Sequence, residues 1–165
     1  MGMIGTYVMV DPETIESIEA GELDVDDVIY LDDESEDVLD VDKAWQIIHY
    51  ALTGEIDEGD GTDPLRNVMV MDGETLSEDY DGFILPPAYL SQSDVMETND
   101  ALQVVSEDEF TRRFRQAEWS DDIYQAPTRG DIDETLEYAL DHFRNIKEFF
   151  GRAVRDNRCI VFYVN

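Results

Sequence analysis

Positive charge is scarce in this chain of 165 residues. It contains 11 Lys and Arg, of which two are lysines, against 41 Asp and Glu, so its formal net charge is -30. A chain this acidic repels nucleic acid and anionic lipid and attracts cations and basic proteins. We therefore expect no nucleic-acid partner and no membrane partner, and we expect that any protein partner is basic.

Cysteine and long hydrophobic runs are also nearly absent. The one cysteine, Cys159, excludes an intrachain disulfide and lies in an apolar run, which predicts a buried, inert thiol. No window approaches the roughly 20 apolar residues that span a bilayer, and the N-terminus has no signal-peptide pattern. These features predict a cytoplasmic protein, a monomer or weak homo-oligomer, with no cofactor.

The negative charge is concentrated in the first part of the chain. Residues 1–100 contain 28 Asp and Glu but only Lys43 and Arg66 as basic residues, and eleven carboxylates lie between Glu22 and Asp42. Three explanations remain open: a solubilising surface, adaptation to concentrated salt, which screens self-repulsion, or a face that binds a cationic protein. The solubilising surface is the simplest of the three, and the clustering in one segment slightly favours the binding face.

Hydrophobic residues make up 42% of the chain, which is typical of a globular protein. The length and pattern predict a single domain, 1–165, of the α+β class, with a small mixed or antiparallel sheet that includes the N- and C-terminal strands and packs against several helices. Strands are predicted at 3–10 and 159–164, and a third candidate strand at 68–71. Helices are predicted at 12–20, 42–53, 92–100, 106–118 and 132–156, with residues 102–105 as a link.

The predicted helix at 42–53 carries the best candidate ligand site, which comprises Asp42, Lys43, Trp45, His49 and Thr53. Trp45 and His49 are four residues apart and therefore share one helical face. An imidazole beside an indole can bind a small ligand or serve as an acid or base. The structural alternative is that Trp45 lies in the core, His49 bonds a backbone carbonyl, and Lys43 pairs with a nearby carboxylate. No second catalytic partner can be assigned.

A second candidate is a weak cation site in the loop that contains Asp57, Asp60 and Asp63. Its glycine and glutamate positions do not match an EF-hand loop. The two histidines and one cysteine lack the paired spacing of a transition-metal site, so we expect no such metal. The sequence also lacks the catalytic motifs of hydrolases and nucleotide-binding enzymes. Whether the protein is an enzyme stays open, and the sequence favours the absence of catalytic activity.

Residues 38–54, which read VLDVDKAWQIIHYALTG, resemble the signature helix of the YfbM-like proteins, which are bacterial proteins classified as a domain of unknown function. Ile48 occupies the position of the second leucine in the family pattern. The opening Met1–Gly5, the turn at Asp63 and the C-terminal strand after a long helix are also similar to that family. The resemblance implies a cytoplasmic α+β domain and no particular activity.

Two functions follow as expectations. The first is a non-enzymatic, acidic interaction module that engages a basic protein. The second is a small-molecule-binding or enzymatic pocket around Trp45 and His49. The exposure of that helix face separates the two classes.

Overall fold

The structure is a computed structural model that describes residues 2–30, 34–56, 61–77 and 81–165. Its strands are β1 (Gly5–Val10), β2 (Val38–Asp40), β3 (Glu74–Thr75), β4 (Leu85–Leu90) and β5 (Cys159–Val164). Its helices are α1 (Pro12–Glu19), α2 (Asp26–Ile29), α3 (Trp45–Thr53), α4 (Gln92–Gln103), α5 (Glu107–Gln116) and α6 (Ile132–Arg155). Two 3₁₀ helices occur at Asp42–Ala44 and Pro64–Met69.

The strands form one antiparallel sheet in the order β2-β1-β5-β4-β3. The two terminal strands are neighbours at its centre, paired from Gly5 with Val164 to Val10 with Cys159. All six residues of each are buried, as expected for strands that are covered on both faces. The α+β class, with both terminal strands in the sheet, is confirmed.

The sheet has a hydrophobic core on each face because successive side chains of a strand point in opposite directions. Tyr7 and Phe162 face the core formed with α3, α4, α5 and α6. Val8 and Val161 face a smaller core, which is closed by the buried side chains of α1 and α2. The apolar residues of α6 recur at helical spacing, which predicts one buried face. That prediction is confirmed, since Leu136, Phe143 and Phe150 are buried.

The acidic segment between Glu22 and Asp42 packs against the smaller core where the structure describes it. Val28 and Ile29 of α2 are buried, and the Tyr163 hydroxyl donates to the Ile29 carbonyl oxygen at 3.1 Å. The carboxylates of Asp26 and Asp27 are exposed on the outside of the same helix. This part of the segment therefore covers one face of the sheet.

Two predicted elements were wrong. Residues 68–71 are not a strand, because Pro64 opens a 3₁₀ helix in which the Asp63 carboxylate accepts the Leu65 amide at 2.9 Å. The predicted link at 102–105 is helical through Gln103, since Leu102 continues the buried face of α4 at 0% exposure.

Strand β4 was not predicted because it contains two consecutive prolines. Pro86 and Pro87 lack an amide hydrogen, so they are unexpected in a strand. The register of β4 against β5 shifts between Leu85 and Ala88, which accommodates them. The outer neighbour of β4 is the two-residue β3, so these prolines lie near the edge of the sheet.

The sequence predicts serine caps for α4 and α5 and aspartate caps for α1, α3 and α6. The two serine caps form, whereas no described side chain caps α1, α3 or α6. Ser91 and Ser106 accept the amides of Asp94 and Glu109 at 3.3 and 3.1 Å. Asp131 forms no such bond at the start of α6, because its carboxylate accepts the amide of the preceding Thr128 at 2.6 Å. That bond closes the loop before α6 instead.

Candidate functional site

The side chains of the predicted ligand site do not meet in one cavity. Trp45 and His49 share a face of α3, but that face points into the core, where they are 3% and 0% exposed. Asp42 and Lys43 precede α3 and lie half-buried beside α6. Thr53 ends α3, where its hydroxyl donates to the His49 carbonyl oxygen at 2.8 Å and accepts the amide of Glu55 at 3.1 Å.

Asp42 and Lys43 are held by a tyrosine of α6. The Tyr138 hydroxyl donates to Asp42 Oδ2 at 2.8 Å and accepts the Lys43 amide at 3.2 Å. Asp42 has a left-handed backbone with a φ of 47°, and its amide donates to Asp40 Oδ1 at 2.6 Å. Burial, followed by the bond to Asp42, raises the pKa of Tyr138. This cluster connects the start of the signature helix to α6.

His142 lies one turn after Tyr138 and contacts its ring edge-on, with 4.8 Å between ring centroids. Its Nδ1 atom is buried and has no hydrogen-bond partner among the described residues. Burial lowers the pKa of His142, although the charges of Asp42, Asp40 and Asp141 oppose that effect. The folded protein therefore favours the neutral imidazole.

We expect this histidine to make the fold sensitive to mild acid. Because its pKa is lower in the folded state, the unfolded chain binds more protons, and stability is lost as the pH falls below about 6.5. His142→Gln should therefore lose less stability than the unmodified protein between pH 7.5 and 5.0. Urea unfolding at both pH values measures this difference, and equal losses in the two proteins would contradict the assignment.

Trp45 lines one side of an open groove of about 1210 Å³. The groove is formed by five separate segments: the N-terminal residues, α3, the residues after α3, the start of β4 and the loop before α6. Its lining residues are Met3, Trp45, Gln46, Glu55, Ile56, Ile84, Leu85, Asp121, Asp122 and Tyr124. They include three carboxylates and no lysine or arginine, so the groove is acidic and partly apolar.

Three hydrogen bonds connect the walls of the groove. The Trp45 indole donates to the Met3 carbonyl oxygen at 3.1 Å, and the Met3 amide donates to the Tyr124 hydroxyl at 3.1 Å. The Tyr124 amide donates to Oε1 of Gln46, a side chain that is 6% exposed, at 2.7 Å. These bonds hold the N-terminal segment, α3 and the loop together.

The carboxylates of the groove differ in their partners. Glu55 forms an ion pair with Arg66, which is 3% exposed and also bonds Asp72 through two nitrogens, both at 3.1 Å. Asp121 and Asp122 are exposed, and no ion pair joins either of them to a cation in the described part of the chain. Glu55 is therefore largely neutralised, whereas the two aspartates remain available to a ligand.

The family of the chain follows from a sequence comparison. A family model described as a domain of unknown function (DUF1877) matches residues 1–163. The chain belongs to the DUF1877 family. The family description names no activity. Together with the solved structure below, the family match confirms the YfbM-like resemblance predicted from residues 38–54.

A solved structure has a similar fold. The DUF1877 fold seen here is similar to the crystal structure of YfbM from Escherichia coli, a protein of unknown function, with a TM-score of 0.73 and 18% sequence identity. The match covers 99% of this chain and 100% of that chain. At this identity the likeness shows the fold alone. The sequence matches no curated protein, and none of these comparisons indicates a specific function.

The predicted cation loop of this DUF1877 domain lies only partly within the described residues. Asp57 and Asp60 lie outside the described residues, and Asp63 caps the 3₁₀ helix that follows it. Within the described ranges, no cluster of three or more His, Cys, Asp or Glu could hold a metal ion. The cation loop stays a prediction.

The arginines of α5 follow three acidic residues on the same helix, a pattern that predicts ion pairs within the helix. Arg112 and Arg113 do pair with Glu109, whose pKa they lower to about 2. Arg115 instead reaches Asp133 on α6 at 2.8 Å. These three guanidinium groups are therefore engaged with carboxylates of the protein itself.

The groove residues other than Trp45 were not found from the sequence of this DUF1877 domain. Asp121, Asp122 and Tyr124 lie in a loop without a motif, and Ile84 precedes the unpredicted strand β4. Their one signal was an apolar residue next to a pair of acids, which is too common to identify a site. None of the helices in the described part of the chain combines the length and apolarity that crossing a bilayer would need.

Proposed function

We propose that this protein is a non-enzymatic interaction module that binds a basic protein, with the groove beside Trp45 as its contact surface. The observation that carries the proposal is the composition of the groove, whose lining combines apolar side chains with three carboxylates, two of them exposed, and contains no lysine or arginine. Such a surface suits the basic residues of a partner, whose aliphatic stems and charged heads need both kinds of contact.

The charge of the remaining surface supports the same partner. Of the two basic residues among residues 1–100, Arg66 is buried in ion pairs and Lys43 is half-buried. Hence that part of the chain presents mainly carboxylates to an approaching molecule. A net charge of -30 accelerates association with a cationic partner at low salt.

A ten-residue peptide of alternating arginine and leucine is a suitable probe. We expect it to bind at low salt, and we expect the double variant Asp121→Asn/Asp122→Asn to weaken binding about tenfold, since each lost charge contact contributes roughly 0.5–1 kcal/mol. Isothermal titration calorimetry at about 20 and 200 mM NaCl measures the affinity and its salt dependence.

The matched control is Asp26→Asn/Asp27→Asn, which removes the same charge from two exposed carboxylates on α2. It should leave the affinity within about twofold. Equal weakening by both double variants would assign the binding to net charge and overturn the groove as the contact surface. Failure of the unmodified protein to bind the peptide at low salt would overturn the proposed function.

The alternative is a small-molecule pocket around Trp45 and His49. Trp45 does line the groove, which supports ligand binding at that residue. His49 has no exposed surface, so a ligand in the groove would meet the indole without the imidazole. Titration with arginine amide, a single small cation, separates this alternative: tight binding of that compound would favour a small-molecule site.

A further inference from the structure

The groove contains one of the few exposed large hydrophobic side chains in the described part of the chain. Ile84 is 56% exposed, and it lines the groove together with Asp121 and Asp122. The other exposed large hydrophobic side chains, Tyr30, Met96 and Val104, lie outside the groove. An exposed isoleucine beside unpaired carboxylates indicates that a ligand would bind more tightly if it carried one apolar group next to one cationic group.

The aromatic side chains of the groove favour one kind of cation. Tyr124 is half-buried and lines the groove beside the two aspartates. A guanidinium group can stack on an aromatic ring and bond two carboxylate oxygens at once, whereas an ammonium group is a compact, strongly hydrated point charge. Paired aspartates beside a tyrosine therefore suit arginine better than lysine.

The size of the groove favours a segment of a protein over a small ligand. Its volume of about 1210 Å³ exceeds the roughly 300–1,000 Å³ of typical small-molecule pockets. Its walls are joined by the bonds of Trp45, Met3 and Tyr124. Binding of a segment therefore needs little further ordering of the protein. Such preorganisation raises affinity for an extended chain.

We infer that the groove selects an arginine that is adjacent to an aliphatic residue in an extended segment of the partner, with the guanidinium group at Asp121 and Asp122 and the aliphatic side chain on Ile84. This inference rests on the proposed function and specifies its ligand. It is separable from that function, because a basic protein could bind the same groove through any cation.

Three ten-residue peptides test the inference: alternating arginine and leucine, lysine and leucine, and arginine and serine. The first should bind at least about fivefold more tightly than either of the others, because each loses one of the two contacts. Ile84→Ser should remove the preference for leucine over serine while it retains the preference for arginine over lysine. Isothermal titration calorimetry at fixed salt gives all the affinities.

The control for Ile84→Ser is Val104→Ser, which removes an aliphatic side chain that is 81% exposed and lies outside the groove. It should change none of the preferences. Equal affinities for the three peptides, combined with weakening by Asp121→Asn/Asp122→Asn, would overturn this inference and retain the proposed function. A preference for leucine over serine that persists in Ile84→Ser would also overturn the inference. If arginine amide bound as tightly as the arginine–leucine peptide, the inference that the ligand is an extended segment would be overturned.

Discussion

Replacement of Trp45 by alanine is expected to lower the free energy of unfolding by about 3–5 kcal/mol, as is typical when a buried aromatic side chain is truncated. Trp45 is 3% exposed and packs in the main core, so its removal leaves a cavity. The change also removes the bond from the indole to the Met3 carbonyl oxygen. Urea unfolding followed by circular dichroism measures the loss.

Two variants separate the contributions of Trp45. Trp45→Phe keeps an aromatic ring in the core but leaves the Met3 carbonyl without its donor, so we expect a loss of about 1–3 kcal/mol. Tyr30→Ala truncates an aromatic residue that is 66% exposed, and it should change stability by no more than about 0.5 kcal/mol. A comparable loss for Trp45→Ala and Tyr30→Ala would show that Trp45 is not a core residue.

Arg66→Met should give the second large loss, about 2–4 kcal/mol, because it removes a buried cation from two ion pairs. Arg66 is 3% exposed, and its partners Glu55 and Asp72 have side-chain exposures of 30% and 47%. Water reaches those carboxylates and offsets part of the loss. Urea unfolding at pH 7 measures the change.

The same variant makes an opposite prediction for binding. Without Arg66, Glu55 adds an uncompensated charge to the groove, so a cationic peptide should bind more tightly at low salt. For the stability measurement, the control Arg115→Met breaks an exposed ion pair with Asp133. It should lower the free energy of unfolding by about 0–1 kcal/mol. Weaker peptide binding by folded Arg66→Met would argue against the electrostatic account of the groove.

The signature helix shows which structural features a local sequence pattern can predict and which it cannot. The four-residue spacing of Trp45 and His49 correctly placed both side chains on one face of α3. The pattern could not tell whether that face was a pocket or the core, because periodicity reports only that one side of a helix differs from the other. Both side chains are buried. Trp45 also borders the groove, because its indole bonds Met3, which in turn bonds Tyr124, and both residues line the groove.

Some elements could be predicted because each depends on residues that are neighbours in the chain. They are the first and last strands, the apolar stripe of α6 and the serine caps of α4 and α5. Strand β4 could not be predicted, because its prolines oppose strand formation locally, and pairing with β5 outweighs them. The acidity and the absence of a bilayer-spanning run were likewise evident from composition.

The groove is a product of tertiary structure alone. Pairing of β1 and of β4 with β5 brings Met3 close to Ile84. The bonds of Tyr124 with Met3 and Gln46 hold the loop that contains Asp121 beside them.

The sequence by itself determined the class of fold, the family and the sign of the charge, because composition and local periodicity encode these. Which carboxylates are neutralised, as Glu55 is, and which stay available, as Asp122 does, depends on contacts between distant segments that no local pattern encodes.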